Sequence, residues 1–491
     1  MSGKRLSPSD AMFLYGESRE MMMHVAGMMP FTPAPDTKPD HLRDLMDEVR
    51  EAAVHPPWNL RLRSPDLLKN PLQSWVEEEN IDREYHVRRS ALPSPGDERE
   101  LGILVSRLHG YPVDFHRPPW EAHLIEGLEG GRFALYVKVH HALVDGFSAM
   151  RILSSTLSRD PDDRNHPLFF SAPPKRRPPQ EEPKAKDKER DKGKDSKDKD
   201  SKDKERDKDS KDKETEGVLF PELLAAVRAQ YGSVKTVAGA LMNVVRSSRA
   251  KDHELVSPLE APRCILNARI AKSRRFATAK LATARIKAAA KAAGGTMNDV
   301  ILALSAGSLR RYLIEQNALP SAPLVAMLPV SVRAKGDEGG GNAVGAILAS
   351  LATDVADPAK RIQTIVASTM HAKQQLQGMS KAAILSYSAL LCAPSMAQMI
   401  PWTAGHVRPT FNVVISNVPG PDDARYFRGA RLEAAYPMSI PVHGQALNIT
   451  CNSYAGSVCF GFTGCRDTVP HLQRIAVFCA EAMDELEAAL T

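Results

Sequence analysis

The sequence predicts an α/β protein of two domains, and three observations carry that prediction. Strand-like and helix-like runs alternate through both halves of the chain. The stretch from Pro173 to Glu216 holds almost nothing that could form a core and separates those halves. A chain of 491 residues, 43% of them hydrophobic, is long enough for more than one sizeable core. The expected partition is an N-terminal domain over 1–172, a disordered, charged, low-complexity linker over 173–216 and a C-terminal domain over 217–491.

Taken in order, Asp40 to His55 has helical spacing, Ile81 to Arg88 reads as a strand and Glu98 to Leu108 as a helix. From Gly131 the odd positions Phe133, Leu135, Val137 and Val139 alternate with Arg132, Ala134, Tyr136 and Lys138, which predicts a half-buried strand. His141 continues the apolar row and His140 the polar one. The two imidazoles should therefore face opposite ways, His141 inward, and should not chelate one metal ion. A helix from Phe147 to Leu157 follows.

In the linker, residues 181–216 carry 14 Lys or Arg and 15 Asp or Glu, so the excess positive charge belongs to the rest of the chain and nucleic-acid binding is not implied. Phe220 to Arg249 presents a helical stripe that includes Leu223, Leu224, Val227 and Tyr231, with Arg228 and Lys235 elsewhere. It either packs between the domains or lies on an anionic lipid surface. Ala279 to Ala293 reads as an alanine-rich helix closed by Gly294-Gly295, and Thr296 with Asp299 reads as a capping box opening a helix to Ile314. Strands follow at Pro323 to Ser331, Val344 to Thr353, Phe411 to Asn417, Ala446 to Ser453 and Ser457 to Phe462, with a last helix at His471 to Leu490.

No run of 18 apolar residues occurs; Ala382 to Trp402, the nearest to one, is broken by Pro394, Gln398 and Pro401 and reads as a buried or interfacial segment. The N-terminus meets Pro8 and Asp10 before any apolar core, unlike a secretory signal, so a cytoplasmic protein is expected. The six cysteines form no C-x-x-C pair and should be reduced core residues. The sequence has no P-loop, G-x-G-x-x-G or G-x-S-x-G, which argues against nucleotide hydrolysis, dinucleotide chemistry and a serine-hydrolase elbow.

What remains is His140-His141-Ala142-Leu143-Val144-Asp145-Gly146 at a strand end. A neutral imidazole close to its ordinary pKa is a good general base, and His141 is the candidate. Asp145 is expected to fix the loop through an arginine or backbone N–H groups. Gly146 is expected to allow a backbone angle or close approach that a Cβ would forbid.

The HHxxxDG pattern resembles the active-site motif of the CoA-dependent acyltransferase superfamily, shared with chloramphenicol acetyltransferase-like enzymes and peptide-synthetase condensation domains. More narrowly, the chain resembles the bacterial wax ester synthase/acyl-CoA:diacylglycerol acyltransferases from Leu6-Ser7-Pro8-Ser9-Asp10 to Gly464-Cys465-Arg466-Asp467, outside the charged insert. Arg117-Pro118-Pro119-Trp120-Glu121 is similar to that family's PLW element, with Pro119 in place of leucine, and Met297-Asn298-Asp299-Val300 to its ND element. Phe411-Asn412-Val413-Val414-Ile415-Ser416-Asn417-Val418-Pro419-Gly420-Pro421 is similar to a further one.

The resemblance implies two chloramphenicol acetyltransferase-like domains joined by a crossover linker, with the active histidine in a central tunnel. It implies acyl-CoA as a substrate, no cofactor, and a long-chain fatty alcohol or diacylglycerol as acceptor, giving wax ester or triacylglycerol. His141 would be the base, supported by His140, Asp145 and Gly146. Asn298 is a candidate donor or structural support, while Asp299 either supports the site or only caps its helix. Asn412, Ser416 and Asn417 are expected to shape the opposite wall, and Trp120 to pack the site. Lys280, Arg285, Lys287 and Lys291 either meet the phosphates of coenzyme A or form a solvated helix face. Peripheral contact with the inner membrane, a lipid droplet or a lipid inclusion is a further expectation. The alternatives are a condensation-type enzyme acting on carrier-protein thioesters, although this chain has no carrier domain, and a non-catalytic lipid-surface protein.

Overall fold

The computed structural model describes residues 4–68, 70, 72–173, 260–331, 344–377, 379–398 and 407–491. The charged insert and the stripe at 220–249 lie outside the described residues. The strand Phe133–His140 is the spine of the first sheet. It pairs antiparallel with His24–Thr32 on one side and with Trp120–Glu126 on the other, beyond which Val87–Ala91 adds in parallel. On the far side of His24–Thr32 the partners come from late in the chain. Ala430–Leu432 and Tyr436–Met438 both pair with it antiparallel, and Tyr426–Phe427 lies beyond Ala430–Leu432. This is the crossover: a sheet begun at His24 is completed by residues past 425.

The second sheet runs in the order Val344–Ser350, Val325–Ser331, Val413–Val418, Leu447–Tyr454, Ser457–Cys465 and Arg274–Ala282. Val413–Val418 is parallel to both neighbours. The helices Thr283–Ala292, Met297–Glu315, Pro358–Leu376 and Gln473–Leu490 pack with this sheet around Ile286, Leu304, Ile362, Ile449, Phe460 and Met483. Leu391 of the helix Lys381–Ala397 packs with Val325, Leu348 and Phe411 in a separate cluster, and residues 399–402 of the apolar segment lie outside the described residues. Among the described residues, no helix is long and apolar enough to cross a membrane. A small third sheet joins Lys4–Arg5, Ser74–Glu77 and Leu60–Leu62.

Local signals placed most elements well. Gly294 takes a positive φ of 66° and Gly295 N–H reaches back to Ala290 O at 2.9 Å, which stops the alanine-rich helix. The capping box of Thr296 and Asp299 is formed. Three expectations need correction. Arg83–His86 is a helical turn, and the strand begins only at Val87. Residues 279–282 belong to the strand Arg274–Ala282, the sheet edge, where they pair antiparallel with Ser457–Phe460.

The strand Phe133–His140 is not half-buried but buried on both faces. Its odd residues join one core with Val25, Met29 and Met150, while Ala134 and Tyr136 join another with Leu101, Val105 and Phe276. The helix Glu98–His109, which carries Leu101 and Val105, covers the face that the alternation assigned to solvent.

The strand His24–Thr32 carries no alternation, since it too is buried on both faces until Thr32, and Gly27 and Pro30 disguise it. Proline fits there because the C=O and the missing N–H of one strand residue point the same way, toward the gap between Ala430–Leu432 and Tyr436–Met438. In that gap Glu433 N–H donates to Pro30 O at 3.0 Å.

Candidate active site

The histidine loop is built at the point where the spine strand runs out. Leu143 N–H donates to His140 O at 2.9 Å, turning the chain, and His141 N–H donates to Met23 O at 2.9 Å, holding the turn against the neighbouring strand. His140 N–H donates to Pro119 O at 2.9 Å. That contact uses only the carbonyl of residue 119, so proline serves where the family pattern has leucine.

The two imidazoles differ in surroundings as the parity of the strand suggests, but their burial is reversed. His140 is fully buried. Its Nδ1 accepts from Ala142 N–H at 3.2 Å, which assigns the ring proton to Nε2, 3.4 Å from Glu17 Oε2 without the alignment of a hydrogen bond. The edge of Phe115 closes over it at 5.0 Å between centroids. His140 is a packed, partnered core residue. His141 is half-buried and is the less buried residue of the pair.

The His141 ring stacks on Phe13, with centroids 3.9 Å apart and planes 22° from parallel. Its Nδ1 is buried and has no partner beyond the residue's own carbonyl. Burial lowers its pKa to about 4; Asp145 opposes that shift and His140 adds to it. The expectation of an unperturbed imidazole is thus corrected: this one is neutral throughout the physiological range.

Asp145 is the N-cap of the helix Gly146–Ser155. Its Oδ1 accepts from Ser148 N–H and its Oδ2 from Ser148 Oγ–H, both at 2.8 Å. Of the two partners expected for Asp145, the backbone N–H is the one found. Gly146 meets neither expectation, because it does not have a positive φ and an added Cβ would touch nothing closer than Val25 Cγ1 at 4.0 Å. The glycine leaves open volume at the first turn of the helix.

The remaining sequence candidates divide. Asn298, exposed at the first turn of Met297–Glu315, accepts from Asn417 Nδ2 at 2.8 Å, so two elements 119 residues apart meet. Asn417 ends in a buried Oδ1 without a partner. Its neighbour Val418 packs against the core that contains Val139 and Val144, which ties this strand end to the histidine loop. Ser416 is half-buried opposite Thr450.

Asp299 is structural: it accepts from Thr296 N–H and Oγ–H at 2.7 Å each and from Thr369 Oγ–H at 2.6 Å. Asn412 does not shape a wall. It is fully buried, accepts from Val325 N–H at 2.8 Å and donates to Pro262 O and Asn267 Oδ1 at 2.7 Å each. Trp120 is a core residue, stacked on His86 at 4.5 Å with its Nε1–H donated to Trp58 O at 2.7 Å. Of the four basic residues near 285, Arg285 is engaged by Glu487 and Asp484, and Lys280 donates to Glu433 O at 2.7 Å from the strand. Lys287 and Lys291 are solvated.

Sequence reasoning missed Phe13 and Glu17. They are four residues apart on and just after the helix Pro8–Gly16, and that spacing is the one signal that could have paired them on a single face. It also missed the polar layer behind the loop. Lys138 is fully buried with Nζ 3.2 Å from Glu121 Oε2, and it donates to Tyr111 O at 3.0 Å and Leu108 O at 3.3 Å. Burial by itself would raise the Glu121 carboxyl, but His123, Lys138 and Arg88 more than reverse that and hold it at about 2.

A family model described as the wax ester synthase/diacylglycerol acyltransferase catalytic domain matches residues 6–301, and one for the C-terminal domain of the same family matches residues 340–487. The chain is 51% identical over 491 residues to a putative diacylglycerol O-acyltransferase of Mycobacterium tuberculosis, covering 99% of this chain and 98% of the relative. Its fold superposes on a wax ester synthase/diacylglycerol acyltransferase from Marinobacter aquaeolei VT8 with a TM-score of 0.73, at 36% identity and with 99% and 100% of the two chains covered. It is also similar, in fold alone, to the first condensation domain of the calcium-dependent antibiotic synthetase, with a TM-score of 0.53, 15% identity and 100% and 97% coverage. Together these likenesses cover the histidine loop, Asn298 and the Asn417 strand, and on them the chain belongs to the wax ester synthase/diacylglycerol acyltransferase family.

Proposed function

We propose that the protein is an acyl-CoA-dependent O-acyltransferase that esterifies a long-chain fatty alcohol, diacylglycerol or both, releasing coenzyme A and using no cofactor. The observation that carries this reading is the His141 ring, neutral and half-buried at the end of the spine strand, with Nδ1 turned into the protein. His141 Nε2 takes the proton of the acceptor hydroxyl as that oxygen bonds to the thioester carbonyl carbon. The tetrahedral intermediate collapses, the C–S bond breaks, and the imidazolium returns the proton to the departing sulfur. The nearby Asp145 carboxylate favours the imidazolium as it forms. Asn298, whose Oδ1 is occupied by Asn417, has its amide N–H groups left to donate to an oxyanion. The substrates meet in a tunnel between the domains, and a peripheral membrane or lipid inclusion supplies the acceptor. The domain limits 1–172 and 217–491 stand as part of this proposal, with residues 426–438 contributed to the first sheet by the second domain.

The test is coenzyme A release from palmitoyl-CoA with hexadecanol or dioleoylglycerol, read with a thiol reagent. His141→Ala should lower kcat by about 10²–10⁴-fold, the usual worth of general-base catalysis, with little change in melting temperature. His140→Ala should cost stability first, since it empties a packed site beside Glu17. Equal activity losses at unchanged stability would refute the assignment.

A further inference from the structure

The helix Pro8–Gly16 reaches both histidines from outside the strand that carries them. Ser7 Oγ accepts Asp10 N–H at 3.1 Å and Pro8 opens the first turn, so the helix start is well specified. At its other end Glu17 Oε2 accepts Met23 N–H at 2.6 Å, faces His140 Nε2, and is thereby linked to the carbonyl of Met23 that holds His141 N–H. Phe13 lies between these anchors. It packs against the main core of the second sheet and against the small cluster of Leu14, Leu62, Trp75 and Ala142, so its ring is fixed independently of the histidine it covers.

A histidine χ2 is a soft, broad torsion, and His141 has no side-chain or distant backbone partner on Nδ1 to set it. We propose that Phe13 is a positioning residue for the acyl transfer, its ring face setting the plane of the His141 imidazole so that Nε2 points at the acceptor hydroxyl. This rests on the reading of His141 as the base. The stack also keeps water from one face of the ring. The charged and titratable groups around His141 are Asp145 from its own loop, His140 beside it, and Glu17 across His140.

Phe13→Leu and Phe13→Tyr in the full chain test this, with the His141 titration followed by NMR of 13C-histidine-labelled protein and assigned by the signal lost in His141→Ala. Phe13→Leu should lower kcat for palmitoyl-CoA and hexadecanol about tenfold, as expected for a modest loss of alignment, with KM changed less than about twofold. It should also move the His141 midpoint up by about one pH unit toward the ordinary histidine value as water gains the ring. Phe13→Tyr keeps the ring face and should hold kcat and midpoint near those of the parent. An unchanged midpoint with kcat within twofold would overturn the proposal. So would equal losses in both variants that follow melting temperature alone. Full activity in His141→Ala would instead overturn the base reading, and the Phe13 contact would then stand or fall on the titration.

Discussion

Replacing Lys138 by methionine probes the layer that the sequence assigned to solvent and the fold buried. The change preserves most of the side-chain volume and removes one charge. It leaves Glu121, only 7% exposed, with Arg88 and His123 no closer than 3.8 Å and a long contact of 3.5 Å from Tyr85 OH. It also strips Tyr111 O and Leu108 O, at the C-terminal end of Glu98–His109, of a cation well placed against the helix dipole. Breaking a buried ion pair from one side typically costs about 3–5 kcal/mol, because the remaining charge is left uncompensated. Part of that loss is recoverable by removing the second charge. Lys138→Met should therefore lower the urea midpoint substantially, and Lys138→Met with Glu121→Gln should regain at least half of the loss. Urea unfolding of the parent, both single variants and the double variant gives the coupling directly. A loss below about 1 kcal/mol for Lys138→Met would refute the reasoning, since that is the worth of a solvent-screened pair.

Acid should destabilise the protein before any carboxylate effect sets in. Burial lowers His109 to about 3 and His141 to about 4, and lowers His24 well below the ordinary value. The unfolded chain therefore binds protons that the folded one refuses as pH falls below about 6.5, and stability drops until the folded values are reached. At pH 5 the deficit is about 2 kcal/mol for each of His109 and His141; equal melting temperatures at pH 7 and pH 5 would contradict this. Asp145→Asn keeps an acceptor for Ser148 N–H and should leave melting nearly unchanged while lowering kcat, whereas Asp145→Ala should also cost about 1 kcal/mol as a lost N-cap. Parallel thermal melts and coenzyme A release assays separate the two effects, and equal stability losses in both variants would show that the charge, not the cap, holds the loop.

Features set by neighbours along the chain were legible in the sequence. The stop at Gly294, the capping box at Thr296 and the end of the spine strand at His140 all depend on residues within a few positions of one another. The histidine loop could be read for the same reason, although the inward placement expected for His141 fell to His140. Alternation reports that a strand has two faces, but not what covers them. Glu98–His109 covers the second face, so Lys138 became a buried partner of Glu121.

The crossover was hidden because Ala430–Leu432 and Tyr436–Met438 are three residues each, too short for a periodic signal, and their partner His24–Thr32 lacks one. Asn298 and Asn417 meet across 119 residues, and Phe13 reaches His141 across the length of the first domain. The sequence by itself determined where the histidine loop lies, because a strand end and the turn after it depend on local backbone geometry. Only the tertiary structure decided the protonation of His141, the plane of its ring and the burial of the charges behind it, because each depends on desolvation by segments distant in the chain.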